Sequence, residues 1–236
     1  GKTRLSNLLQ SKSHWFHYSV DYRIGTRYLG EHIVDNFKKE AMKNSFLRRL
    51  LLSDSIYISS NLTFNNLSPL SSYLGKPGDK HQGGMDFDLY IRRQRQHKEA
   101  EISSVLDTKK FIEKSTKIYG YNNFVCDTSG SLCEVTNPED PLDPLLTHLS
   151  KNTLVILIKG NDEHNKELIK RFSEAPKPIY YNENFLQENW SYYKNLNGVK
   201  DHEVQPDDFI LFCFESLLSY RAPIYEKIAQ NWGLSV

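Results

Sequence analysis

GKTRLSNLLQ, residues 1–10, opens with Gly1-Lys2-Thr3 and passes at once into a helical run in which Leu5, Leu8 and Leu9 share one face at i, i+3, i+4 spacing. Two structures fit it. One is an ordinary amphipathic helix. The other is the end of a phosphate-binding loop, G-x-x-x-x-G-K-[ST], followed by the helix that such a loop feeds. In that loop successive glycine amides converge on phosphate oxygens, the lysine reaches the terminal phosphates and the hydroxyl binds Mg²⁺. The helix N-terminus adds its own amides and dipole. Only the last three positions of the pattern are present, so Gly1, Lys2 and Thr3, with the neighbouring Arg4, are the candidate phosphate contacts.

Composition sets the outer bounds. The 236 residues suit one α/β domain with helical additions and suffice for a sizeable core. Lysine and arginine number 30 against 29 acidic residues, a net charge of +1 that offers no field for general nucleic-acid binding. Cys126, Cys133 and Cys213 are too few and too dispersed for a disulfide framework or a C-x-x-C metal site, and read as core or near-core residues of a reducing compartment. No apolar run reaches the roughly 20 residues that span a bilayer, so a soluble, cytoplasmic protein without a membrane partner is expected.

Working outward, strand-like and helix-like segments alternate. An aromatic strand runs from Trp15 to Val20, ends at Asp21 and turns at Gly25. A helical stretch follows with Ile33, Phe37 and Ala41 on one stripe. Residues 59–84 are rich in Ser, Asn, Gly and Pro and read as a long loop with one short helix. Residues 85–120 are helical again and close at Gly120. The runs NNFVCDTSGS (122–131) and NTLVILIKGN (152–161) are short and continuously apolar, as buried parallel strands are. Between them three prolines mark a loop and a helix start near Pro144. The remainder is helical, with a break expected at Ala222-Pro223. This alternation predicts a mostly parallel sheet covered on both faces, in a single domain with a helix and loop insertion at about 30–118 and a helical region at about 176–236.

The order of these features resembles the P-loop kinases of small molecules: a Gly-Lys-Thr, a strand ending in Asp21, a helical region, a strand ending in Asp127, then TLVILIKG with its helix. The stretches FVCDTSGSLCEV (124–135), PKPIYYNENFL (176–186) and RAPIYEKIAQNWG (221–233) look like bacterial proteins labelled only as ATPases. The resemblance implies a three-layer P-loop sandwich, with ATP and Mg²⁺ as cofactors. It also implies a central strand and first glycines ahead of Gly1, because without that strand a sheet would leave backbone groups unpaired.

Asp127 ends a buried strand where open α/β sheets bind ligands, and is the candidate metal residue with Thr3; the alternative is a cap on the TSGS turn. Asp21 is the candidate acceptor-binding group or base, and otherwise an N-cap for the helix that follows. In the run RRQRQHK, Arg92 and Arg95 share a helix face and could grip one phosphate, acting with Lys2 in catalysis; the alternative is a solvated face paired with Glu99 and Glu101. His14 and His17 lack partners at metal spacing, and Trp190 with its neighbouring tyrosines reads as helix packing. Two functions follow. One is a kinase that transfers the γ-phosphoryl group of ATP to a small hydroxyl-bearing acceptor; the other is a nucleotide-hydrolysing switch that binds a protein partner.

Overall fold

The computed structural model describes residues 1–236, the side chain of Asp162 excepted. The chain is mixed α/β. After α1 (Lys2–Lys12) the aromatic run forms β1 (Trp15–Ser19), which leads through the four-residue α2 (Val20–Arg23) and a π-helical turn (Ile24–Tyr28) into α3 (Gly30–Ala41). Then come α4 (Ser45–Leu52), α5 (Ser68–Leu74), the long α6 (Phe87–Leu106), α7 (Thr108–Lys117) and β2 (Asn123–Asp127). The second half holds α8 (Pro144–Asn152), β3 (Ile156–Leu157), α9 (Asp162–Glu174), α10 (Glu183–Asn197), α11 (Pro206–Trp232) and β4 (Leu234–Ser235).

β1 and β2 pair in parallel, in register from Trp15 opposite Asn123 to Ser19 opposite Asp127. β3 and β4 form a second, separate parallel pair of two residues each. Parallel pairing is as the alternation predicts, but among the described residues the strands do not join into one continuous sheet. The run 152–161 departs most from expectation: Leu154, Ile156 and Ile158 are 66%, 52% and 43% exposed, so this is not a buried strand here. Val155 packs against two interior clusters, while these three side chains face outward.

Two apolar clusters share α6 as their common wall. Ala100 and Val105 meet Tyr18, Val20, Ile24, Leu29 and Ile33 on one side; at the other end Tyr90 and Ile91 meet Tyr181, Phe185, Leu186, Trp190, Phe209 and Cys213. Trp190 is thus a packing residue, its ring stacked on Phe87 at 4.5 Å. Cys133 and Cys213 are buried. α6 and α7 meet at Asp107, whose carboxylate accepts hydrogen bonds from Arg23 (2.6–2.8 Å) and Tyr28 (2.8 Å). The break expected at Ala222-Pro223 does not occur; α11 runs through Pro223. Among the described residues no helix is long and apolar enough to cross a membrane.

Candidate functional site at the end of the parallel pair

α1 packs against both β1 and β2 and begins at the end of the pair where Ser19 and Asp127 finish. Its N-cap is Gly1, whose lack of a side chain leaves the first amides of the helix without a side-chain acceptor. Lys2 and Thr3 are exposed on this first turn. The charge of Lys2 reaches both Asp21 and Asp127. The structure therefore brings Lys2, Thr3, Asp21 and Asp127 together; Gly1 and Arg4 flank them, Arg4 exposed.

The bland roles considered for the two aspartates are filled by other residues. Ser19 is the N-cap of α2, its Oγ accepting the Tyr22 N–H at 3.3 Å, so Asp21 is not the cap. In the turn after β2 it is Ser129 Oγ that accepts the Ser131 N–H, at 3.3 Å. Burial pushes the Asp21 carboxyl up to about 6, the Lys2 charge opposing this and the Asp127 charge adding to it. Asp127 moves the other way. Burial raises it, but His17, the Thr3 hydroxyl and the Lys2 charge outweigh that and hold it below the usual carboxylate range. His17 Nε2 stands 3.8 Å from Asp127 Oδ2, beyond hydrogen-bond length, and neither ring nitrogen of this buried histidine has a hydrogen-bond partner. Its ring packs on Phe64 at 4.8 Å, which ties the long loop to the end of β1.

Arg92 and Arg95 do not join this group. They line a separate cavity of about 490 Å³ with Phe87, Ile91, Gln187 and Trp190, and Arg95 is held by Glu183 through two hydrogen bonds of 2.8 and 2.5 Å. Arg95 thus fits the solvated-face alternative. Glu101 does the reverse. Expected on that solvated face, it is 0% exposed and accepts hydrogen bonds from Ser129 and from Ser131 (2.7 Å). Burial pushes it up to about 7, the two serine hydrogen bonds opposing the rise.

Arg221, on α11, is the residue that sequence reasoning passed over. Its Nε donates to Glu134 and its Nη2 to the Tyr180 carbonyl at 2.9 Å. Glu134 also accepts the Asn182 N–H. The three stretches at 124–135, 176–186 and 221–233 thus meet in one buried polar network. The Arg221 charge is felt at Asp21 and Glu101, and with burial it pushes His97 down to about 3, so that imidazole is neutral. The only signal available in the sequence was that all three stretches belonged to the same resemblance.

Among the described residues no three His, Cys, Asp or Glu side chains converge to hold a metal by themselves. Thr3 and Asp127 suit Mg²⁺ of the kind that keeps waters and shares its shell with substrate phosphates. No family model, curated protein or solved structure matches this chain.

Proposed function

We propose that this chain binds Mg·ATP and transfers its γ-phosphoryl group to a small hydroxyl-bearing acceptor. One observation supports the reading: α1, which begins with Lys2 and Thr3, packs against both strands of the parallel pair, and the charge of Lys2 acts on both Asp127, which ends β2, and Asp21, just past the end of β1. Lys2 and the uncapped amides of α1 hold the phosphates, and Thr3 and Asp127 hold Mg²⁺, which when bound neutralises phosphate charge. Asp21, with its carboxyl near 6, is mostly ionised at neutral pH yet close enough to that pH to accept a proton. In the transfer the acceptor oxygen bonds to the γ-phosphorus and the bond to the β–γ bridging oxygen breaks. ADP leaves with that electron pair, and the hydroxyl proton passes to Asp21. In this reading the two parallel pairs belong to one sheet of a three-layer P-loop sandwich, in a cytoplasmic protein.

Lys2→Ala, made in the whole encoded protein, removes a hydrogen bond to a charged group and should weaken Mg·ATP binding roughly ten- to a hundredfold by calorimetry. Equal affinity in both forms overturns the assignment. A nucleotide switch is the second reading. Its starting point is the exposure of Phe46 and Leu52 on α4 and of Tyr57 just after it, apolar side chains that a protein partner could cover. Asp21→Asn separates the two, since asparagine cannot act as a base: acceptor-stimulated ADP release should disappear in the kinase. If it is unchanged, the switch reading takes its place.

A further inference from the structure

Arg221 has a nitrogen to spare. Nε and Nη2 are engaged by Glu134 and the Tyr180 carbonyl, which fixes the plane of the guanidinium, whereas among the described residues no hydrogen bond uses Nη1. Nη1 lies 3.7 Å from the point where a Cβ on Gly130 would stand. Gly130 is exposed, and it belongs to the turn that begins at Asp127. A guanidinium pinned on two sides with its third nitrogen turned to an exposed glycine is preorganised for an oxygen ligand, because little side-chain freedom remains to be lost on binding.

We propose that Arg221 Nη1 and the turn at Gly130 form a subsite for an anionic group, the carboxylate or phosphate of an acceptor whose hydroxyl faces Asp21. This rests on the reading of Asp21 as the acceptor-facing residue. Lys2 and Arg221 both act on Asp21 electrostatically, one from the first turn of α1 and the other from the buried network on α11. An acceptor held by Arg221 would then present its hydroxyl to Asp21 and, beyond it, to the phosphates held by Lys2. The ligand meets N–H donors rather than a bare charge, since Glu134 already balances the guanidinium. Glu101, the other carboxylate tied to this turn, is pushed up to about 7 by burial and, further, by the charge of Asp21; it is therefore partly neutral at neutral pH and repels an incoming anion less. His97, neutral in its buried position, adds no competing charge.

The glycine offers a test that leaves the network intact. Gly130→Ala places a methyl group at ordinary contact distance from Nη1, with no backbone strain, and covers the free nitrogen. The Arg221 side-chain NMR resonance, assigned by its loss in Arg221→Lys, is followed during titration with inorganic phosphate and, separately, with acetate. In the wild type one or both anions should shift it saturably. A response to phosphate alone assigns a phosphate-bearing acceptor, and a response to acetate alone a carboxylate-bearing one. In Gly130→Ala the affinity should fall roughly ten- to a hundredfold, the change expected from losing one hydrogen bond to a charged group, at unchanged melting temperature and unchanged Mg·ATP affinity. No shift with either anion overturns the subsite, and so does an affinity that Gly130→Ala leaves alone. If Gly130→Ala weakens Mg·ATP equally, Arg221 serves the nucleotide and the acceptor assignment is wrong. Failure of wild-type protein to bind Mg·ATP, with the anion response intact, removes the kinase reading and leaves the anion site standing.

Discussion

The two parallel strand pairs come from similar apolar runs and have opposite fates. In β1 and β2 five residues pair in register, and Phe16 and Phe124 stack across the pair at 5.8 Å. Tyr18 is buried beneath them, its hydroxyl donating to the Ser104 carbonyl at 2.6 Å. In β3 and β4 only two residues pair, and Leu154, Ile156 and Ile158 of the run face outward while Val155 packs inward. What differs is the cover. α6 and α7 lie against the first pair, while the second meets mainly α11. A strand's hydrophobicity therefore shows what it can bury; the helices packed over it decide how much it does.

The sharpest way to break this contrast is to empty the first pair. Tyr18→Ala removes a fully packed ring and leaves the Ser104 carbonyl without its donor, and should cost about 3–5 kcal/mol in urea unfolding. A cost under about 1 kcal/mol would show that the pair is not the anchor of this core.

A smaller effect comes from the polar end of the same pair and depends on pH. The Asp21 carboxyl titrates near 6 when folded against 3.8 ordinarily, so between those values the folded state holds more protons than the unfolded chain. Stability from this residue is thus greatest below about pH 4 and is lost as the pH rises through 6. Asp21→Asn removes that loss, and should raise stability by about 3 kcal/mol at pH 8 while changing little at pH 3.5. Melting curves at the two pH values measure it, and equal shifts at both would refute the buried-charge account.

The least effect belongs to the second pair. Ile156→Thr swaps one exposed β-branched side chain for another, and should alter stability by no more than about 0.5 kcal/mol. A loss above about 1.5 kcal/mol in the whole encoded protein would mean that a further layer covers β3 there.

These contrasts also mark where the sequence could be read and where it could not. β1, β2 and α9 were legible because each carries its own periodicity and punctuation; α1 forms where expected, but its leucine face does not turn inward, Leu5 and Leu8 being 46% and 42% exposed while Ser6 is buried. The split between α6 and α7 was not, since the sequence around Asp107 carries neither the glycine nor the proline that marks a helix end. α11 crosses Pro223 because packing against α9, α10 and β4 holds it on both sides of the proline, which local propensity cannot foresee. Of the candidate site, the placement of Lys2, Thr3, Asp21 and Asp127 at one end of the strand pair was legible because a strand end and a helix start are positions with known geometry. The burial of Glu101 and the partial burial of Arg221 were not. A glutamate in a basic helical run and an arginine two residues before a proline look like surface residues until the fold supplies their partners.

The π-helical turn at Ile24–Tyr28 carries a consequence for chain length. Val20, Ile24, Leu29 and Ile33 are all buried at spacings of four, five and four, and the single five marks the residue that the wide turn absorbs. Without that extra residue the segment could wind as a regular helix with spacings of four throughout and the same face buried; with the residue kept in a regular helix, the two halves would differ in phase by about 100°. With α3 seated in the core, Asp21 would then swing away from the strand ends. The wide turn therefore lets the chain carry one residue more without changing the direction in which the carboxylate points.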